Sequence, residues 1–116
     1  MRKLEYRKRQ QTLFIYICVS GSSTGSFVEL YRNERAKGNY DTGYHYYIDI
    51  LGNVVEDRQK DSIANATFEE FDRAIYILCE AVKKPNDCQA ISLQELLECL
   101  KGEYKNVEVI KNYKSK

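Results

Sequence analysis

Gly43-Tyr44-His45-Tyr46-Tyr47-Ile48 and Gly52-Asn53-Val54-Val55-Glu56-Asp57-Arg58, separated only by Asp49-Ile50-Leu51, decide how the rest of this chain is read. Aromatic and β-branched residues dominate both runs, and such side chains suit a pleated, half-buried surface. The Leu51-Gly52-Asn53 loop between them is short and contains Gly, which predicts a β-hairpin with strands Tyr44–Ile50 and Val54–Asp57. Upstream, Thr12 to Ser20 is apolar on both alternating faces, the pattern of a strand covered on both sides and central in its sheet. A Ser/Gly turn follows, then Ser26-Phe27-Val28-Glu29, which has the form of a capping box. Phe27, Leu30 and Tyr31 begin an apolar stripe that Gly38 can close, so a helix of about three turns is predicted over Phe27–Lys37.

Downstream of the hairpin the pattern divides. Thr67-Phe68-Glu69-Glu70 is another capping-box sequence, and Phe68, Phe71, Ile75, Leu78 and Val82 fall at helical spacing. The competing reading takes Ala74-Ile75-Tyr76-Ile77-Leu78-Cys79 as a short, fully buried strand. Local pattern alone favours the helix. A further helix is written at Ile91-Ser92-Leu93-Gln94-Glu95-Leu96, with Ser92 as cap, Glu95 reaching back and an Ile91–Leu96 staple. Leu93, Leu96, Leu97 and Leu100 would form its buried stripe and Gly102 its stop. Asn106 to Ile110 alternates as a last strand, ahead of a Lys-rich tail. Strands and helices alternate, which predicts an α/β fold: a mixed central sheet flanked by helices, with residues 1–11 as a basic arm and 12–116 as one domain.

Composition narrows the function. The chain has 116 residues, 18 Lys+Arg against 17 Asp+Glu, and ten Tyr with four Phe, enough aromatic area to form a core. A formal charge of +1 removes the electrostatic footprint of a general nucleic-acid binder. The apolar run Leu13 to Val19 is too short for a membrane span and lacks the small-residue cleavage site of a signal peptide, so a cytoplasmic protein is expected. Cys18, Cys79, Cys88 and Cys99 are widely spaced with no CxxC pair, which reads as reduced thiols rather than a zinc ribbon or redox motif. His45 is the only histidine, so no site needing two His ligands can be built.

The Gly43–Ile48 run with Gly52–Arg58 resembles the GYHY-type hairpin of the zinc N-acetylmuramoyl-L-alanine amidases, the family shared by amidase-type phage lysozymes and peptidoglycan recognition proteins. The flanks agree in order: Phe14–Ser20 resembles the first core strand of that family, and Gly38–Thr42 the segment leading into the hairpin. Ala74–Glu80, Pro85-Asn86-Asp87 and Ser92–Leu97 resemble its later core strand, polar loop and S/T-x-x-Q helix. The resemblance covers about residues 12–112, implies an amidase-like fold shortened at the C-terminus, and turns Ala74–Cys79 toward strand. It does not carry the chemistry with it. The family's first zinc ligand falls at Cys18 or a neighbour and its second near Asn112, and the third would fall beyond Lys116. Its substrate-side His falls near Asn65. Tyr44 matches the family's catalytic Tyr and His45 the adjacent motif His, but without a metal to activate water neither has a hydrolytic task.

The expectation is therefore a protein with no catalytic residues, metal or cofactor. It would bind a small-molecule ligand or a protein partner through the former substrate cleft. Tyr44, His45, Cys18, Asn65, Ser22 and Ser23 are the candidate contacts. The two serines sit in the Gly21–Ser26 loop, where backbone N–H groups and a helix dipole would favour an anion. His45 reads equally as a hydrogen-bonded structural residue. Tyr40, Tyr46, Tyr47 and Tyr76 are further candidates to line the groove, and Arg2, Lys3, Arg7, Lys8 and Arg9 are candidate anion partners. A compact inhibitor carried by a phage or mobile element, or a sponge for a nucleotide-type host defence signal, would fit such a protein. The alternative is an active amidase with an atypical metal site. Homo-oligomerisation is left open by the sequence.

Overall fold

A computed structural model describes residues 8–20, 36, 43–64 and 68–113. Within them five strands form one mixed sheet: β1 (Phe14–Val19), β2 (Tyr46–Ile48), β3 (Val54–Glu56), β4 (Ala74–Cys79) and β5 (Glu108–Asn112), in the spatial order β3-β2-β4-β1-β5. The described residues also form a helix, α1 (Asp87–Glu103). The three central strands run parallel, with Tyr16 level with Tyr76 and Tyr47 level with Leu78, and β3 closes one edge antiparallel to β2. Ala74–Cys79 is a strand, as the resemblance implies and against the local helical spacing: all six residues are buried, a burden that a surface helix would not carry.

Alternation along the strands builds two cores. Ile15, Ile17, Ile48, Ile75, Ile77 and Cys79 face α1, where Leu93 and Leu100 meet them. Tyr16, Cys18, Tyr47, Tyr76 and Leu78 face the other way, with Tyr44, Phe68 and Phe71 packed against them. This is why Thr12–Ser20 reads as apolar on both faces. The expected helix Phe27–Lys37 lies outside the described residues save Ala36.

Several boundaries move. Helix α1 starts at Asp87, not at Ser92: Asn86 is its cap, accepting from the Gln89 backbone N–H at 2.8 Å while the Gln89 side chain accepts from Asn86 N–H at 2.9 Å. The Ser92–Glu95 pattern copies the same chemistry one turn later. Ser92 instead donates its hydroxyl to the Gly52 carbonyl, and Ile91, expected as a staple, is 62% exposed. Gly102 does not stop the helix, which continues to Glu103. The last strand begins two residues later than expected, because Asn106 takes φ +66 and makes a turn first.

The hairpin turn carries its own instructions. Asp49 accepts from Leu51 N–H and Asn53 N–H at 3.0 and 2.8 Å, and from the Asn53 side chain at 3.0 Å. Gly52 sits at φ +89, and a Cβ there would lie 2.8 Å from the Cys88 carbonyl oxygen, so only glycine lets the turn dock on α1. Gln89 completes the joint. Fully buried, it donates its side-chain amide to the carbonyls of Ile48, Asp49 and Glu80.

Candidate functional site

On the sheet face away from α1, one row crosses all five strands: Val55, Tyr47, Leu78, Cys18 and Asn112 are successive register partners. Two positions singled out by the resemblance, Cys18 and Asn112, thus stand directly opposite one another on neighbouring strands. They were read from segments almost a hundred residues apart, and parallel pairing of β1 with β5 brings them together. A second row lies toward the strand N-termini. The Tyr16 and Tyr76 rings stack at 4.9 Å with planes 5° apart, and Phe68 caps Tyr76 at 4.8 Å. Tyr44 stands against Phe68 at 4.8 Å and meets Tyr76 edge-on at 6.3 Å. The result is a continuous aromatic layer with Tyr44 half-buried at its border. Within it the Tyr76 hydroxyl is buried without a hydrogen-bond partner.

Electrostatics keep this face neutral. Burial, and secondarily the neighbouring Tyr16, pushes the Tyr76 phenol well above its ordinary range. Burial also raises Tyr47, reinforced by the Glu80 carboxylate that its hydroxyl meets. Glu80, 7% exposed just past β4, accepts from Ile50 N–H at 3.1 Å. The sequence did not single it out, since a lone Glu after a strand carries no pattern. Tyr46, expected among the groove tyrosines, points to the α1 face instead, as strand alternation with Tyr47 requires.

His45 is fully buried. Its Nδ1 accepts from Tyr76 N–H at 3.0 Å and its Nε2 donates to the Ser62 carbonyl at 2.7 Å, the pattern of a neutral ring. The imidazole stands in for a missing ladder bond where β2 leaves β4, and of the two readings of His45 this is the structural one. Arg9 joins the same node, donating to the Ser62 carbonyl at 2.6 Å and to Thr12 Oγ1 at 2.8 Å, with its guanidinium 5.4 Å from the Tyr104 ring centre. It is therefore tied into the fold and not held out as an anion partner; Lys8 is exposed and 3.8 Å from Asp61. Arg2, Lys3, Arg7, Ser22, Ser23, Tyr40 and Asn65 lie outside the described residues.

The cysteines divide by position. Cys18 and Cys79 are buried, but on opposite faces of the sheet, so they do not pack together as neighbouring strands alone would suggest. Burial pushes the Cys79 thiol up to about 12. Cys88 and Cys99 are exposed, and Cys88 lies in the first turn of α1.

The residues at the family's metal positions do not fit zinc. Cys18 is a 9% exposed thiol facing a carboxamide that offers no charge, and among the described residues no three His, Cys, Asp or Glu side chains converge. No hydrolytic step is derived through such a metal.

No protein-family model matches the sequence, and no curated protein matches it. Solved structures do match. The N-acetylmuramoyl-L-alanine amidase LysC from Clostridium intestinale URNW superposes with a TM-score of 0.75 at 16% identity, covering 93% of this chain and 78% of that one. The Ph2119 endolysin from Thermus scotoductus MAT2119 bacteriophage Ph2119 gives 0.75 at 19% identity, covering 91% and 75%. Human PGRP-IBETAC, solved in complex with glycosamyl muramyl pentapeptide, gives 0.73 at 15% identity, covering 95% and 77%. With its mixed sheet, its Gly43–Arg58 hairpin and α1 packed on one face, this chain has the fold of the N-acetylmuramoyl-L-alanine amidases and peptidoglycan recognition proteins.

Proposed function

We propose that this protein binds a ligand through the face that carries Tyr44, Tyr47, Cys18 and Asn112, and that it does so without hydrolysing it. One observation carries the reading: Cys18 and Asn112 are cross-strand partners at the positions where the family resemblance places metal ligands, and a single thiol beside a neutral carboxamide is not the three-ligand set that a catalytic zinc needs. The same face keeps features that serve binding. Tyrosines offer apolar area with a polar tip and few torsions to freeze, and Tyr44 stands half-buried at the border of the layer. His45 supports the site from beneath, pinning β2 to β4 under Tyr44.

The ligand class follows from the fold's company and the groups present. A muramyl peptide is the first candidate, because one matching structure holds one. A nucleotide-type defence signal is the second, in the setting of a small phage or mobile-element inhibitor; Ser22, Ser23 and Asn65 complete the site in that reading. Nitrogen-15 NMR titration with muramyl pentapeptide and with a panel of cyclic nucleotides tests both. Shifts at Tyr44, Tyr47, Cys18 and Asn112, with no amide cleavage, are the expected result. About one zinc per chain by elemental analysis, together with chelator-sensitive amide cleavage, would establish the active amidase instead.

A further inference from the structure

A sheet of five strands is about 19 Å between its outer strand axes, at roughly 4.8 Å per step, whereas one helix covers about 10 Å. Helix α1 is tied to the β2–β3 side. Gln89 holds the carbonyls of Ile48, Asp49 and Glu80, Asn86 donates to the Ile50 carbonyl, and Ser92 to that of Gly52. The β1–β5 side of the same face is left with a groove of about 510 Å³. Ile17, Leu93, Leu97 and Tyr113 give it an apolar lining. From Ala90 to Lys101 it follows three turns of α1, about 16 Å at 1.5 Å per residue. Among the described residues three lysines, Lys84, Lys101 and Lys111, stand around it against one acid, Glu98.

We infer that this groove seats an acidic amphipathic helix of a partner protein, lying beside α1 on the same face of the sheet. The shape asks for a helix's width and a three-turn length. The apolar lining asks for anchors at i, i+3 or i+4, and i+7. Cations spread along the rim, with Lys111 level with Ile17 and Lys84 and Lys101 flanking opposite ends of α1, match carboxylates distributed along a helix better than one anionic head group. They also disfavour a second copy of this chain, which would bring the same lysines toward one another. The groove lies on the opposite face of the sheet from Tyr44, so this proposal stands or falls separately from the ligand site.

The test uses the full chain and three fluorescein-labelled synthetic helical peptides: one with leucines at i, i+4 and i+7 flanked by glutamates, one with lysines replacing the glutamates, and a scramble of the first. Fluorescence anisotropy should show the acidic peptide binding, and Lys101→Glu with Lys111→Glu should weaken it by about tenfold or more while the basic peptide gains. Both lysine positions are exposed, so the melting temperature of the double variant should stay close to that of the parent. Equal binding of acidic and scrambled peptides, or no response to the charge reversal, would overturn the inference. So would dodecanoate displacing the peptide and binding the parent and the double variant alike, which would mark a site for a small amphiphile.

Discussion

His45 shows how one side chain can hold a sheet together at the point where backbone pairing gives out. Its ring takes the buried Tyr76 N–H, which loses its acceptor if the ring is removed, and supplies a second donor to the Ser62 carbonyl, which would keep only Arg9. His45→Ala should therefore cost about 1–3 kcal/mol for the stranded Tyr76 N–H, measured as a drop in urea stability. A role confined to ligand contact would leave stability unchanged. The cysteines make a second residue-level prediction, because reactivity follows the thiolate and its access. Under native conditions a thiol reagent should modify Cys88 and Cys99 and spare Cys18 and Cys79, with all four reacting in denaturant. Rapid native labelling of Cys79 would contradict its burial and its raised pKa.

At the level of elements, the hairpin turn and the helix are one unit. Burial alone would raise the Asp49 carboxyl, but the hydrogen bonds from the Asn53 side chain and the Asn53, Leu51 and Gly52 backbone outweigh it and hold the group below its ordinary value. A carboxyl depressed in the folded state contributes stability that is complete above the ordinary Asp range and is lost as pH falls through the folded value. The stability advantage of the native chain over Asp49→Asn should accordingly shrink as pH drops from about 5 to about 3. Gly52→Ala should destabilise at every pH by more than about 1 kcal/mol, since it combines a strained φ with a clash against the Cys88 carbonyl. Along α1, Leu100 is 2% exposed and Leu100→Ala should cost about 2–5 kcal/mol. Leu97, expected from the helical stripe to be equally buried, lines the open groove and is half-buried. Leu97→Ala should cost clearly less in the same denaturant series.

For the whole molecule, the arrangement separates two surfaces by the thickness of the sheet: an aromatic, neutral face proposed for ligand binding and a lysine-rimmed groove beside α1. Elemental analysis of the purified protein should find no stoichiometric zinc, and zinc added in excess should not raise the melting temperature as a specific ligand would. A zinc-dependent rise would mean that Cys18 and Asn112 recruit further donors, and would remove the main support for a non-hydrolytic role.

Much of this was legible in the residues. Alternation and turn chemistry placed the hairpin, the two-faced apolar runs marked the central strands, and leucine spacing marked α1, because those signals are local and each comes from a short stretch of chain. The choice between helix and strand at Ala74–Cys79 was not local, since burial between two other strands overrode its helical spacing. Nor was the start of α1 local: Asn86 and Ser92 carry the same capping chemistry, and only the docking of Gly52 onto Ser92 decides which one caps. The identity of the candidate site depends on register in the same way. Cys18 and Asn112, or Tyr44 and Phe68, become neighbours through strand pairing and packing over long separations, and tertiary structure alone sets those distances.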